Sequence, residues 1–212
     1  PERSEGLELG ARWNGEFLQG SVAVYENRFR DLIESRANLG RNTSGQLVFQ
    51  SVNRDRARIR GVELEGRWWL ESLSPRAGGW YLDAVASWAE GDDTSRDLPL
   101  NSVPPPRASL GAGFESADGS WGSELRLTGV KRVSRADQSA GPLYLPPGYA
   151  NWDLHAWASL GEHVRLNLSL FNLTDRTAWD WSSLRGLPAT ADDIAFYSRP
   201  GRGASLGLVV DF

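Results

Sequence analysis

The chain contains no cysteine and no methionine. Without cysteine it has no disulfide framework and no thiolate metal site. Without methionine it has no initiator residue, and its opening "PERSEGLELG" shows neither the charged nor the apolar region of a signal peptide. That opening reads as mid-chain sequence entering a strand, so the 212 residues are expected to be the C-terminal piece of a longer protein. There is no run of ~18 apolar residues, which excludes a membrane-spanning helix. A mean hydropathy of -0.42 does not exclude a membrane, however. A spanning strand needs only ~10 residues with one apolar face, and a barrel wall is polar on average. Positive charge is not in excess either. The net charge of -4 argues against a nucleic-acid partner.

Strict two-residue alternation is abundant. In "VRLNLSLFN", Val164, Leu166, Leu168 and Leu170 oppose Arg165, Asn167 and Ser169. "WYLDAVASW" sets Leu82, Ala84, Ala86 and Trp88 against Tyr81, Asp83 and Ser87. "RIRGVELEGRWWL", "WGSELRLTG", "NWDLHAWAS" and the closing "GASLGLVVDF" alternate in the same way. Side chains alternate across a strand, so each segment has one apolar and one polar face. No stretch keeps a 3.6-residue period, and the chain is expected to be all β. The pattern predicts nine strands, at about 5–14, 17–30, 55–70, 79–90, 106–115, 121–133, 149–160, 163–175 and 202–212.

The connections alternate in length. Tight turns fall near Gly15, at 74–79, 117–120 and 161–163, and long loops at 31–54, 91–105, 134–148 and 176–201. In an up-and-down meander, that puts every tight turn on one edge and every long loop on the other, the arrangement of outer-membrane barrels. Ten tryptophans are present, and Trp13, Trp68, Trp80, Trp88, Trp121 and Trp152, with Phe17, fall near expected strand ends. An aromatic girdle would meet lipid headgroups there. The plainer reading makes them core tryptophans of a soluble β-sandwich.

Several stretches resemble the C-terminal half of a TonB-dependent outer-membrane receptor: "PERSEGLELG", "RARIRGVELEG", "LPLNSVPPPRASLG", "LSLFNLTDRTAW" and "RPGRGASLGL", in that order. "NLTDRTAWDWSSLRGL" followed by "FYSRPGRG" is most similar to the haem and haemoglobin receptor branch. The spacing of Ser205, Gly207, Val210 and Phe212 resembles the C-terminal signal read by the barrel assembly machinery. The resemblance implies a transmembrane antiparallel up-and-down β-barrel. Residues 1–212 would supply about nine of some 22 strands, while the plug and earlier strands lie outside this sequence. Nine strands alone would leave two open edges. The resemblance also implies the outer membrane of a Gram-negative bacterium, with lipid, the plug and the barrel assembly machinery as partners. An inner-membrane TonB complex would supply energy through a segment not present here. Haem or an iron chelate would be transported, with a haemoprotein as a further partner; an iron–siderophore receptor is the alternative.

The chemistry-bearing residues are few. Of the two histidines, His155 falls on a polar strand face beside Asp153, and His163 falls in a tight turn. A His or Tyr can ligate haem iron, but the plainer role for His155 is a lumen residue hydrogen-bonded to Asp153 or to the plug. Tyr144, Trp179, Trp181 and Tyr197 lie in or beside long loops, where they could stack on a planar ligand or a protein. Loop packing is the plainer reading of each. Glu63, Glu65, Arg67, Glu124, Arg126, Asp153 and Arg165 alternate along polar faces. Ion pairing across a wet lumen accounts for them, and no nucleophile, base and acid converge. Neither an enzyme, a bound cofactor nor a metal site is expected. An outer-membrane barrel protease or phospholipase would be the enzymatic rival.

Overall fold

The computed structural model describes residues 1–211, the side chain of Arg36 excepted. Ten strands form one antiparallel sheet: β1 (Arg3–Asn14), β2 (Leu18–Arg41), β3 (Leu47–Trp69), β4 (Trp80–Asp93), β5 (Leu98–Pro99), β6 (Arg107–Glu115), β7 (Trp121–Val130), β8 (Tyr149–Ser159), β9 (Val164–Phe171) and β10 (Gly203–Val210). They pair in chain order, with the two-residue β5 appended to the end of β4. The nine expected strands are all present. β1 and β10 are the two edges, and the sheet is not closed.

The register carries the alternation from strand to strand. Leu9 faces Val24, Val24 faces Val62, and Val62 faces Trp88. Leu110 faces Leu127, Leu125 faces Leu154, and Leu168 faces Leu206. A one-residue slip anywhere would mix the faces. The apolar face is bare: Leu9 and Leu206 are each 74% exposed, and Trp80 and Trp121 each 50%. A water-soluble sheet would bury such a face, whereas a barrel wall presents it to lipid.

Aromatic residues mark two levels on this face. Trp80, Phe114 and Trp121 make a contiguous run at the tight-turn end, with centroids 5.3 and 5.0 Å apart. Trp88 lies eight residues further along β4, which is about 26 Å of strand, or about 20 Å of height at a tilt of ~40°. That span is close to the ~25 Å apolar band of a transmembrane barrel.

The tight turns are as expected. Gly15 N–H donates to the Leu18 carbonyl, Leu160 N–H donates to that of Val164, and Gly119 and Gly161 take positive φ. In the β6–β7 turn, the Asp118 carboxylate accepts from the hydroxyls of Ser116 and Ser120 and from Ser120 N–H. These bonds, led by that of Ser116, pull its pKa down to about 2.

The expected long loop over 31–54 is instead mostly strand. β2 and β3 run on together to a turn at residues 42–46, where Asn42 N–H donates to the Gln46 carbonyl. The register slips between Glu34 and Ala37 and again between Asn38 and Arg41, and Asp31 takes a φ of 58°. Beyond the apolar band one face no longer has to be apolar, so the two-residue signal fades while the backbone ladder continues. β4 likewise outlasts its expected end at residue 90, and β9 stops at Phe171 because Asn172 and Asp175 adopt positive φ. In the terminal motif, Ser205, Gly207 and Val210 lie on β10, with Val210 paired to Val164. Phe212 lies outside the described residues.

Leu168→Arg, placed mid-height on the apolar face, is expected to lower stability in a bilayer by about 2–4 kcal/mol, whereas Asn167→Arg on the opposite face costs about 1 kcal/mol or less. Urea unfolding of the intact barrel in lipid vesicles checks the contrast; equal costs would mean that lipid does not touch the apolar face. Because the Asp118 pKa is depressed, its stabilisation of the turn is full above the ordinary value of 3.8 and fades as pH falls towards about 2. A carboxyl-carbon NMR titration checks it.

Candidate functional site

The polar face carries an ion network spanning three strands, built on a gap in a fourth. Arg67 of β3 stands opposite Asp83 of β4. Asp83 and Tyr81 stand opposite Gly111 and Gly113 of β6, which in turn face Arg126 and Glu124 of β7. A Cβ at Gly113 would come within 2.2 Å of Tyr81 Cζ, and one at Gly111 within 2.7 Å of Asp83 Oδ1. The missing side chains on β6 therefore let the β4 residues lie across it and reach β7.

Tyr81 Oη donates to Glu124 Oε2 at 3.2 Å, and Arg126 Nε donates to Glu124 Oε1 at 2.7 Å. Arg126 Nη2 and Arg67 Nη2 both donate to Asp83 Oδ2, at 3.0 and 3.2 Å. The Arg67 guanidinium also lies 4.2 Å from the Tyr81 ring centroid. Two carboxylates meet two guanidiniums, so the group is neutral and braced. Glu65 accepts from Ser21 Oγ at 2.9 Å. This is a stiff hydrophilic wall, and no carboxylate pair is poised for acid–base work.

His155 and Asp153 do not bond to each other, so Asp153, one of the two partners expected for His155, is not its partner. His155 Nδ1 is 3.0 Å from Ser169 Oγ, and its ring stands edge-on to Phe171. Asp153 Oδ1 instead accepts from Asn151 Nδ2 and Asn172 N–H. His163 sits in the β8–β9 turn, where its carbonyl accepts from Asp211 N–H. His163 is at the tight-turn end, whereas Phe171, which His155 touches, is the last residue before the long β9–β10 connection.

At the other end the long connections pack as one body. The β9–β10 connection, residues 172–202, holds a one-turn helix α1 (Trp181–Leu184) and a 3-10 turn (Ile194–Tyr197). Trp181 is buried with Val133 and Leu143, and its Nε1 donates to the Asn101 carbonyl at 2.8 Å. Its indole therefore serves loop packing, and it offers no stacking surface. Asn101 and Asp137 exchange two hydrogen bonds. Arg54 joins Glu34 at 2.8 Å, Asp93 at 3.6 Å and Asp137 at 3.8 Å. Asn38 Nδ2 and Arg185 Nη2 then fasten the β2–β3 hairpin to the last loop through the carbonyls of Gly186 and Ser35.

Two of the aromatic candidates meet. Tyr144 and Trp179 stand edge-to-face at 6.3 Å, and Trp179 Nε1 donates to the Ile194 carbonyl. Tyr197 belongs to the same loop, its hydroxyl 3.5 Å from Asp193 Oδ2. Beside it Phe196 is 90% exposed. Phe196 and Arg54 were not anticipated from the sequence. The apolar "IAF" inside an otherwise polar loop was a signal for the first, and nothing local marks the second.

A family model described as TonB dependent receptor-like, beta-barrel, matches residues 1–173. The chain belongs to this family of TonB-dependent receptors. Its β-barrels are outer-membrane proteins, and its members are receptors and transporters rather than enzymes. All 212 residues align with a probable hemoglobin and hemoglobin-haptoglobin-binding protein 4 of Haemophilus influenzae, at 24% identity and covering 24% of that protein. They align at 26% with hemoglobin-haptoglobin utilization protein B of Neisseria meningitidis, covering 31% of it. The chain thus spans about a quarter to a third of these relatives. Among solved structures, copper transporter OprC matches over the whole chain with a TM-score of 0.82 at 24% identity, covering 32% of that chain. The ferric citrate transporter FecA matches 99% of the chain with a TM-score of 0.70 at 18% identity, covering 31% of that chain. These two matches show the fold alone.

In the intact receptor, Arg126→Gln is expected to cost roughly 3 kcal/mol, because it leaves the shielded Asp83 and Glu124 carboxylates short of cations. The unfolding midpoint in urea checks it. The Asp83→Asn, Arg126→Gln double variant should recover part of that loss.

Proposed function

We propose that residues 1–212 form the C-terminal wall and outer loops of an outer-membrane receptor that binds haem, or iron from a haemoprotein, and imports it with energy from the TonB system. Family membership carries the transport reading, and the haemoglobin-binding relatives support haem as cargo. The observation within this chain that supports ligand capture is the outer-loop body. Arg54, Asn101 and Trp181 fix its shape, while Tyr144, Trp179, Tyr197 and Phe196 are grouped along one loop system. Rigid aromatic side chains give contact area at low entropic cost, which suits a planar ligand or a protein surface.

His155 is assigned to the lumen wall through its bond to Ser169. The network around Arg67, Asp83, Glu124 and Arg126 forms the hydrophilic passage, against which a plug supplied by the rest of the protein rests. The iron-chelate alternative has its own support, since two of the structures with this fold are ferric enterobactin and ferric citrate receptors.

Titration of haem into the intact receptor is expected to give a saturable Soret difference spectrum. Tyr144→Ala with Trp179→Ala should weaken haem or haemoglobin binding by about tenfold or more, while His155→Ala leaves it within about twofold. Absence of a haem spectrum together with saturable binding of a ferric siderophore would favour the chelate alternative.

A further inference from the structure

The β9–β10 connection meets its neighbours along two seams of different chemistry. Against the β4–β6 and β7–β8 loops the seam is closed and largely apolar. Trp181 packs on Val133 and Leu143 and donates to the Asn101 carbonyl. Tyr144 N–H donates to the Leu187 carbonyl, and Ala189 N–H to that of Pro142. Against the β2–β3 hairpin the seam is polar and thin. Asn38 Nδ2 donates to the Gly186 carbonyl, and Arg185 Nη2 donates to the Ser35 carbonyl at 3.0 Å. A Cβ at Gly186 would come within 2.7 Å of Phe49 Cε1, so that ring sits against the glycine. A cavity of about 20 Å³ remains between Glu34, Asn38, Arg54, Asp137 and Arg185, room for about one water. Arg185 Nε is itself buried without a hydrogen-bond partner.

Parting an apolar seam exposes surface to water, whereas parting a polar one exchanges its hydrogen bonds for bonds to water. An orphaned N–H such as Arg185 Nε disfavours the closed form and is hydrated once the seam opens. Of the two seams, the one against the hairpin is built to part.

The hairpin also has a place to bend. β4 follows β3 only as far as Ala57, opposite Asp93, with one further bond from Thr94 N–H to the Arg56 carbonyl. Past that point β2 and β3 run on as an arm of about 30 Å, at ~10 residues a side. Its base is irregular. Asp31 takes a φ of 58° between the pairs Arg30–Arg56 and Leu32–Arg54. Positive φ inside a strand is strained for a residue with a side chain. The same register brings Asp55 opposite Asp31, and like charges there weaken the ladder further. Arg54 lies next to this break and acts as its pivot, joining Glu34 in the arm to Asp93 at the end of β4 and Asp137 in the β7–β8 loop. Asn38 lies further out, past the register slip between Glu34 and Ala37, about 20 Å from Leu32 along the strand.

We propose that the β2–β3 hairpin above Asp31 is a hinged arm, latched here to the last connection, and that parting of the latch opens the outer body to cargo. The Arg54 pivot and the apolar seam persist in both forms. Only the bonds of Asn38 and Arg185 and the Phe49 contact are exchanged for water. The arm rests on the transport reading under the proposed function and supplies the step by which the loops admit a ligand.

The test uses the full-length receptor in outer membranes, with any cysteine outside residues 1–212 replaced by serine, since this stretch has none. Spin labels at Thr43→Cys and Thr190→Cys report the distance from the hairpin tip to the last connection by pulsed electron resonance. A main short distance and a minor longer one are expected. Asn38→Ala with Arg185→Ala should raise the ratio of long to short by about tenfold or more. Asp31→Val should raise it by about fivefold or more, because a β-branched residue opposes the positive φ of the latched form. Labels at Ala117→Cys and Glu162→Cys, at the tight-turn end, should keep one unchanged distance and so confirm a folded wall. The latch is then locked. A Cβ at Gly186 lies 3.3 Å from Asn38 Cβ, within reach of a disulfide, whose Cβ atoms stand about 3.8 Å apart. Oxidation of the Asn38→Cys, Gly186→Cys variant should cut haem uptake by about tenfold or more, and reduction should restore it.

The proposal is overturned if the Thr43–Thr190 distance is indifferent to the Asn38 and Arg185 substitutions or to Asp31→Val. It is equally overturned if the cysteine pair does not close, or if the closed form, counted by thiol alkylation, imports within about twofold of the reduced form. If wild type imports no haem, the haem reading falls alone: the lock is read on the ferric siderophore that the receptor does import, and the label distances report the latch without any cargo.

Discussion

Backbone hydrogen bonding without water is the constraint from which this structure follows. In hydrocarbon each N–H and C=O must find a partner in protein, and a sheet supplies partners only when every strand has neighbours on both sides. From β2 to β9, the two-residue β5 excepted, every strand has a neighbour on each side. β1 and β10 do not, which is why these ten strands read as part of a wall. The pleat then divides the side chains. One set is Leu, Val, Ala and Trp, the composition of a lipid-facing barrel wall; the other is charged or hydrogen-bonding.

Charges are handled differently on the two sides. On the lumen side, Arg67, Asp83, Glu124 and Arg126 neutralise one another, and Gly111 and Gly113 make room for the contact. On the outward side, Arg60 pairs with Glu90 and Arg135 with Asp92, while Arg30 stands in register between Arg3 and Arg56.

The strand network and the loop body are also built differently. The lumen network rests on strands and tolerates little displacement. The outer body rests on a few long-range bonds, with Arg54 shared among the β2–β3 hairpin, β4 and the β7–β8 loop. Its exposed aromatics sit on the last loop, held at the base by Trp179 and Trp181. Loops on a rigid scaffold are where recognition is concentrated.

The strand set, its order and the faces of residues such as 81–88, 152–158 and 164–170 were legible in the sequence, because a two-residue period has one structural meaning when one face must be apolar. Legibility failed where that demand lapsed. Residues 31–54 continue as a ladder with no hydrophobic signature, and they look like a loop to any reading based on period. Trp181 and Trp179 were indistinguishable as letters in "AWDW", yet one is buried in a core and the other is only partly buried, beside Tyr144. The sequence by itself thus determined secondary structure and sidedness, both of which are local. Only the tertiary structure decided that Tyr81 crosses a glycine to reach Glu124, that Asp153 serves Asn172 in place of His155, and that Arg30 stands in register between Arg3 and Arg56. Each of these pairings depends on register between strands, and register is set by the sheet as a whole.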